Sequence, residues 1–208
     1  MNNKQSENFS IFGTGYRNPK GVAVLAVKPD GATDIARVYQ YIISEKAKSA
    51  TEQLREMDRQ GATRDELSDY KKLNFRIVTF SGSFSYRNAK SLINRSPYLV
   101  IDIDDLESET VARQLMKRLV SDPYVETELC FLSPKGRGLK WVISLPEWWQ
   151  KLEFKQQFEA ARQHVIFHYG IPVDTSGSDV CRACFLPYDP LCYVNPKNIT
   201  TKTKKLVI

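Results

Sequence analysis

An α+β fold is what this 208-residue sequence predicts, and three observations predict it. Short β-rich runs recur at 75–82 (FRIVTFSG), 98–106 (YLVIDIDDL), 125–133 (VETELCFLS) and 139–145 (LKWVISL). Between and after them stand stripes of apolar residues at the 3.6-residue period of a helix. The PKGRG connection is short enough to make the last two runs a hairpin. Apolar residues at 42% and charged residues at 26% suit a chain that buries a core of its own rather than a disordered one.

In chain order, a polar leader precedes GVAVLAV (21–27), which reads as a buried strand, and KPDGAT then turns the chain into a helix with Ile35, Val38 and Ile42 on one face. Residues 45–72 are charged and helix-forming; Gly61 divides them into two short exposed helices whose charges read as a solvated face. FRIVTFSG follows, then the loop SGSFSYRNAKSL with Arg87 and Lys90. In YLVIDIDDL the period of two sends Leu99, Ile101 and Ile103 to one face and Tyr98, Val100, Asp102 and Asp104 to the other, with Asp105 pointing away from its neighbours. Ser108 caps a helix striped by Val111, Leu115 and Leu119, which Pro123 follows. After the hairpin, Phe154, Phe158, Ala161, Val165 and Tyr169 mark a long helix stopped by Gly170 and Pro172. His164 and His168 lie on it at the spacing of a metal-binding pair. With no Glu between them and the apolar stripe beside them, they read as a packed pair.

Thirty Lys and Arg against 24 Asp and Glu give a formal charge of +6, for which nucleic acid or nucleotide is the natural anionic partner and a solvated basic surface the plain alternative. No apolar run approaches the roughly 18 residues of a membrane span, and the start MNNKQSENFS lacks a basic region followed by an apolar one. A cytoplasmic protein with no membrane partner is expected. No G-x-x-x-x-G-K-S/T stretch occurs, which removes an internal P-loop, and GTGYRN lacks the third glycine and preceding strand of a dinucleotide fingerprint. Cys181, Cys184 and Cys192, with Cys130, His164 or His168 as a fourth ligand, offer a structural Zn²⁺ site; the plainer reading makes Cys184 a small buried side chain. A disulfide framework is not expected.

Three clusters carry the chemistry. Asp102 and Asp104 place like charges about 7 Å apart on one strand face, which is unfavourable unless a cation, a basic side chain or open water lies between them. SPKGRGLK (133–140) has Gly136 and Gly138, where the backbone can approach a ligand, and Ser133, Lys135, Arg137 and Lys140 as donors to phosphate oxygens. VDTSGSDVCR (173–182) adds Asp174, Asp179 and Arg182. If Asp174 lies beside Asp102 and Asp104, the three carboxylates make a nest for Mg²⁺ or Mn²⁺. Basic side chains holding a nucleoside triphosphate opposite such a nest is the arrangement that nucleotidyl transfer uses.

The order of TFSGSFSYR (79–87), VIDIDDL (100–106), LSPKGRGLKWVI (132–143) and VDTSGSDVCRACFLPYDPLCYVN (173–195) resembles the motifs of the archaeo-eukaryotic primase and primase-polymerase superfamily. More narrowly it is similar to the VirE N-terminal-type domain of bacterial mobile elements. The resemblance implies an RRM-like catalytic sheet packed with helices and a second small α/β unit. It implies a single domain over 1–208, with an N-terminal α/β portion to about residue 95, a catalytic portion over 96–195 and a basic tail over 196–208. Asp102, Asp104 and Asp174 would be the catalytic metal ligands, and Ser133, Lys135, Gly136, Arg137, Gly138, Lys140 and Arg182 would face the nucleotide. The activity implied is DNA-templated nucleotidyl transfer by two metals in mobile-element replication, with single-stranded DNA as template and a helicase on another chain. Lys140 stands where the superfamily usually has His, and either cation donates to an oxyanion. A second reading is a non-catalytic DNA-binding replication module of the same fold. A metal-dependent nuclease would want an E-x-K partner after the aspartates, and 125–140 offers only Glu126 and Glu128 without that pattern. Arg87 and Lys90, with Lys197, Lys202, Lys204 and Lys205 of the tail, are expected to contact DNA phosphates.

Overall fold

The computed structural model describes residues 7–203. In chain order its strands and helices are β1 (Phe9–Phe12), β2 (Tyr16–Arg17), β3 (Ala23–Val24), β4 (Gly31–Thr33), α1 (Ile35–Ile43), α2 (Lys48–Arg59), α3 (Arg64–Asn74), β5 (Ile77–Thr79), β6 (Gly82–Phe84) and β7 (Leu92–Arg95). There follow β8 (Tyr98–Ile103), α4 (Glu109–Val120), β9 (Thr127–Leu132), β10 (Leu139–Ser144), α5 (Phe154–Tyr169), β11 (Cys184–Phe185), β12 (Tyr193–Val194) and α6 (Pro196–Thr203). The class is α+β. A first sheet runs β11-β5-β1-β4 and a second runs β12-β9-β10-β8, both antiparallel.

The second sheet is the middle of three layers, because alternate side chains of β8, β9 and β10 are apolar on both faces. Leu99, Ile101, Ile103, Leu132 and Trp141 pack against Leu115 and Leu119 of α4 and Phe158 and Val165 of α5. Val100, Phe131 and Val142 face the other way, onto Phe9, Val78 and Phe80 of the first sheet region and Ile35, Val38 and Ile42 of α1. The α2–α3 hairpin closes over a small cluster of Leu54, Leu67 and Phe75. Local chemistry marks the helix ends. Asp34 and Ser108 cap α1 and α4 by accepting from Arg37 and Val111, Thr63 and Glu66 form a capping box on α3, and α5 stops at Gly170, whose φ of 67° is left-handed.

Four expectations are corrected. GVAVLAV contributes only the two residues of β3, paired with β2 in a surface ribbon where Val22 is 52% exposed. The turn at Gly21 (φ 77°) folds that segment back on β2 instead of letting it run into the core. KPDGAT contains β4, and the loop after β5 contains the β6–β7 ribbon. Strand β8 ends at Ile103, and Asp105, at φ 56°, already belongs to a left-handed turn, so alternation does not set its direction.

Candidate active site

Antiparallel register places Lys140 of β10 directly opposite Asp102 of β8. Both continue the face of Val100 and Val142, at the end of the sheet where the apolar core between the two sheets gives way to a crevice. Lys140 is buried, and its ammonium ion-pairs with Asp102 and lies 3.9 Å from Asp104 Oδ1. A basic side chain therefore relieves the carboxylate repulsion seen in the sequence. Burial acts against charge on both partners: it raises the Asp102 carboxyl and would lower Lys140, but attraction by Asp102 and Asp104 outweighs it and keeps Lys140 above the usual lysine range.

The β9–β10 turn shapes one wall. A Cβ on Gly138 would stand 2.5 Å from the Ile103 carbonyl oxygen and 3.1 Å from Ser133 Oγ, so only glycine lets the turn close on the end of β8. Ser133 N–H donates to the Gly138 carbonyl, Gly136 N–H to that of Ser133, and Leu106 N–H to that of Arg137, which fixes turn and strand end together.

A cavity of about 420 Å³ opens there. Asp102, Asp104, Ser133, Lys135 and Lys140 come from the second sheet, and Asp174, Asp179 and Arg182 from the connection between α5 and β11, which crosses the crevice as the chain passes from one sheet to the other. Asp174 caps the short turn Thr175–Ser178 and accepts from Ser176 N–H at 3.1 Å and Ser176 Oγ at 2.6 Å, bonds that hold its carboxyl below the usual range. Arg87 also lines this cavity, anchored by its Nε to the Ala26 carbonyl.

The sequence reading missed the contribution of α3. Arg64, Ser68 and Lys71 share one helix face at i, i+4 and i+7 and line the same cavity. That spacing was the available signal, and the charge-rich composition around it reads as a solvated face. Burial first, then repulsion by Lys140 and Lys135, lowers the Lys71 ammonium against the pull of Asp104 and Asp102.

Other expected residues lie elsewhere. Arg137 does not line the cavity; its Nη2 is ion-paired with Asp58 at 2.6 Å in an adjoining groove. Gly136, at φ 80°, packs against the Arg55 guanidinium. Lys90 is exposed in the turn Ala89–Ser91 and does not line the crevice. Lys197 ion-pairs with Glu126 and Glu128 of the β9 region, at 2.6 and 2.7 Å. Lys204 and Lys205 lie outside the described residues, as does the Lys202 side chain. All four cysteines are free, and burial pushes the Cys184 thiol up to about 12. His164 Nε2 meets Asp122 Oδ2 at 2.7 Å, and its ring lies 4.4 Å from that of His168.

Asp102, Asp104 and Asp174 all line the crevice, and among the described residues no group of three His, Cys, Asp or Glu side chains is placed to hold a metal ion. Asp102 and Asp104 are the hard oxygen donors that could hold Mg²⁺ or Mn²⁺, which is commonly held by one or two carboxylates plus substrate phosphates; the Lys140 ammonium stands between them and would have to yield to it. No helix among the described residues is long and apolar enough to cross a membrane.

No curated protein and no solved structure matches the chain. The likeness to a VirE N-terminal-type domain, and the superfamily placement that came with it, are overturned by the family model that does match, described as BT4734-like, N-terminal domain. It aligns with residues 70–193, from the end of α3 through β12, and takes in the cavity walls supplied by Lys71, Arg87, both sheet acids, Lys140, Asp174 and Arg182. With more than half of its length matched, the chain belongs to the BT4734-like N-terminal domain family.

Proposed function

We propose that the crevice binds a nucleoside triphosphate and transfers its nucleotidyl group to a strand growing on a DNA template. The observation that carries the reading is the Lys140 ammonium held between Asp102 and Asp104 in a cavity whose other walls add Arg64, Lys71, Lys135 and Arg182. Acids for a cation and cations for a polyphosphate thus share one space, of a size suited to a small-molecule ligand. The strand-helix-strand-strand-helix order of β8, α4, β9, β10 and α5, with β10 seated between β8 and β9, supports the RRM-like description of the sheet; β11, next in the chain, joins the first sheet, and β12 is added beside β9.

A divalent cation held by Asp102 and Asp104 would neutralise phosphate charge and make the attacking hydroxyl more acidic. With such a cation bound, Lys140 would be free to donate to a phosphate oxygen, and Lys71 and Lys135 beside it would stabilise the charge on the departing pyrophosphate. Arg182 and Arg87 hold the opposite side of the cavity. One observation favours a second reading, DNA binding without turnover: Lys140 already neutralises Asp102, so the acid pair is stable without a metal.

Binding of a fluorescent nucleotide with Mn²⁺ present, and template-directed incorporation, decide between them. Wild type binds and incorporates under the first reading, and Lys140→Ala binds nucleotide about tenfold more weakly, a loss of about 1.4 kcal/mol, while incorporation falls further. A wild-type protein with no detectable nucleotide binding sinks the enzyme reading.

A further inference from the structure

We propose that a single nucleic-acid strand reaches the crevice along the groove between the α2–α3 hairpin and the β9–β10 turn. The site of strand binding is thereby moved off the loop of Arg87 and Lys90. Three cavities run into one another along that line. The crevice shares Arg64, Lys71, Asp104, Ser133 and Lys135 with a neighbouring cavity of about 710 Å³, and this one shares Asp58, Lys135 and Arg137 with a third of about 340 Å³, walled also by Arg55 and Arg59.

Cations line the path at each stage: Lys71, Arg64 and Lys135 near the crevice, then Arg137, Arg59 and Arg55 farther out. Among the described residues Arg64 and Lys135 have no carboxylate partner. Arg55 is packed against Gly136, donates its Nε to the Pro134 carbonyl at 3.3 Å, and leaves its Nη2 buried with no hydrogen-bond partner among the described residues. Arg55, Arg59 and Arg137 each ion-pair with a carboxylate, Glu109, Glu56 and Asp58, and the side chains of Arg59 and Arg137, 74% and 50% exposed, are open to exchange those partners for phosphodiester oxygens. Asp105 and Glu107, in the turn between β8 and α4, and Asp58 of α2 also line the middle cavity. Arg87, by contrast, is directed into the crevice, and Lys90 lines none of the three cavities.

The occupant is a single strand because the three cavities lead one into the next as a single row lined by cations, where a duplex presents two phosphate backbones. This inference takes from the nucleotidyl-transfer reading only the placement of the strand's end at the crevice. Its test measures binding of a fluorescein-labelled oligothymidylate to the full chain by anisotropy over a range of salt, with fluorescent-nucleotide binding read on the same protein. The double variant Arg59→Ala/Arg137→Ala should bind the strand at least tenfold more weakly at low salt and flatten the salt slope by about 1.4, two contacts at about 0.7 each. Arg59→Glu, a single change at a side chain 74% exposed and so harmless to folding, should weaken binding in the same direction, and Lys90→Ala should leave it unchanged. Unchanged affinity and slope in the double variant, equal loss in Lys90→Ala, or duplex bound as tightly as single strand overturns the groove. Strand binding that depends on Arg59 and Arg137 in a protein that binds no nucleotide upholds the groove and sinks the nucleotidyl-transfer reading; nucleotide binding without strand binding does the reverse.

Discussion

Lys140 and Asp102 show what a buried ion pair costs when it is broken. The Lys140 side chain is 10% exposed, so replacing Asp102 by Asn leaves an ammonium in a poorly solvated site with only Asp104, 3.9 Å away, to offset it. Asp102→Asn should therefore destabilise the fold by about 3 kcal/mol, and adding Lys140→Met should recover at least half of that, because the uncompensated charge goes with it. Urea unfolding of the two variants checks this, and an Asp102→Asn protein as stable as wild type would show the ammonium to be solvated. Strand alternation puts Asp102 on the face of Val100 that the structure shows. The sequence reading assigned Lys140 a phosphate as partner because the pairing of β8 with β10 is a tertiary fact, set by where the Gly138 turn closes on the Ile103 carbonyl, and no local pattern prints it.

Helix ends and their ties explain which elements were legible. The stripes of α1, α4 and α5, the break at Gly61 and the stop at Gly170 all stand in local sequence, where side-chain spacing and backbone freedom act. What α3 packs beside does not, and its Arg64 and Lys71 were read as solvent-facing for that reason. The end of α4 adds a tie that no pattern announces. Asp122 accepts from the N–H groups of Tyr124 and Val125 at 2.8 and 2.9 Å and from Tyr169 Oη at 2.6 Å, and it meets His164 of α5. Burial alone would raise this carboxyl, but those partners bring it below its ordinary value of 3.8. Since the folded-state pKa is the lower one, the stability that Asp122 contributes is fully present above the unfolded-state value and is lost as the pH falls through the folded-state value. Asp122→Asn should thus destabilise the protein at neutral pH by about 1–3 kcal/mol, and the gap from wild type should close on acidification, as melting curves from pH 7 to pH 2 would show. A pH-independent gap would mean that the effect is not one of charge.

At the scale of the whole molecule, the first sheet is the part least visible in the sequence, and the crevice depends on it. Its strands are two to four residues long and come from residues 9–12, 31–33, 77–79 and 184–185, too short for a period and too far apart for a hairpin signal. Pairing with β5, the Leu186 N–H bond to the Arg76 carbonyl and burial of Cys184 and Leu186 in the shared core hold β11 in place, and with it the connection that brings Asp174 and Arg182 to the crevice of Lys140. The two sheets share one core: Phe131 and Val142 of the second pack with Phe9 and Val78 of the first and with Ile42 of α1. A core with members from both sheets cannot be dissolved on one side alone, so the chain should unfold in a single transition. Trp141 and Trp149 lie on the far side of the second sheet, among the residues that meet α4 and α5, and their fluorescence reports that layer; far-ultraviolet circular dichroism reports all three. The two signals should give one urea midpoint for wild type. Phe131→Ala removes a side chain that is 0% exposed at the meeting of the sheets and should cost about 3–5 kcal/mol, moving both signals together to the same lower midpoint. If dichroism is lost in part before tryptophan fluorescence changes, the first sheet unfolds on its own, and Asp174 and Arg182 are held over the crevice less firmly than the shared core requires.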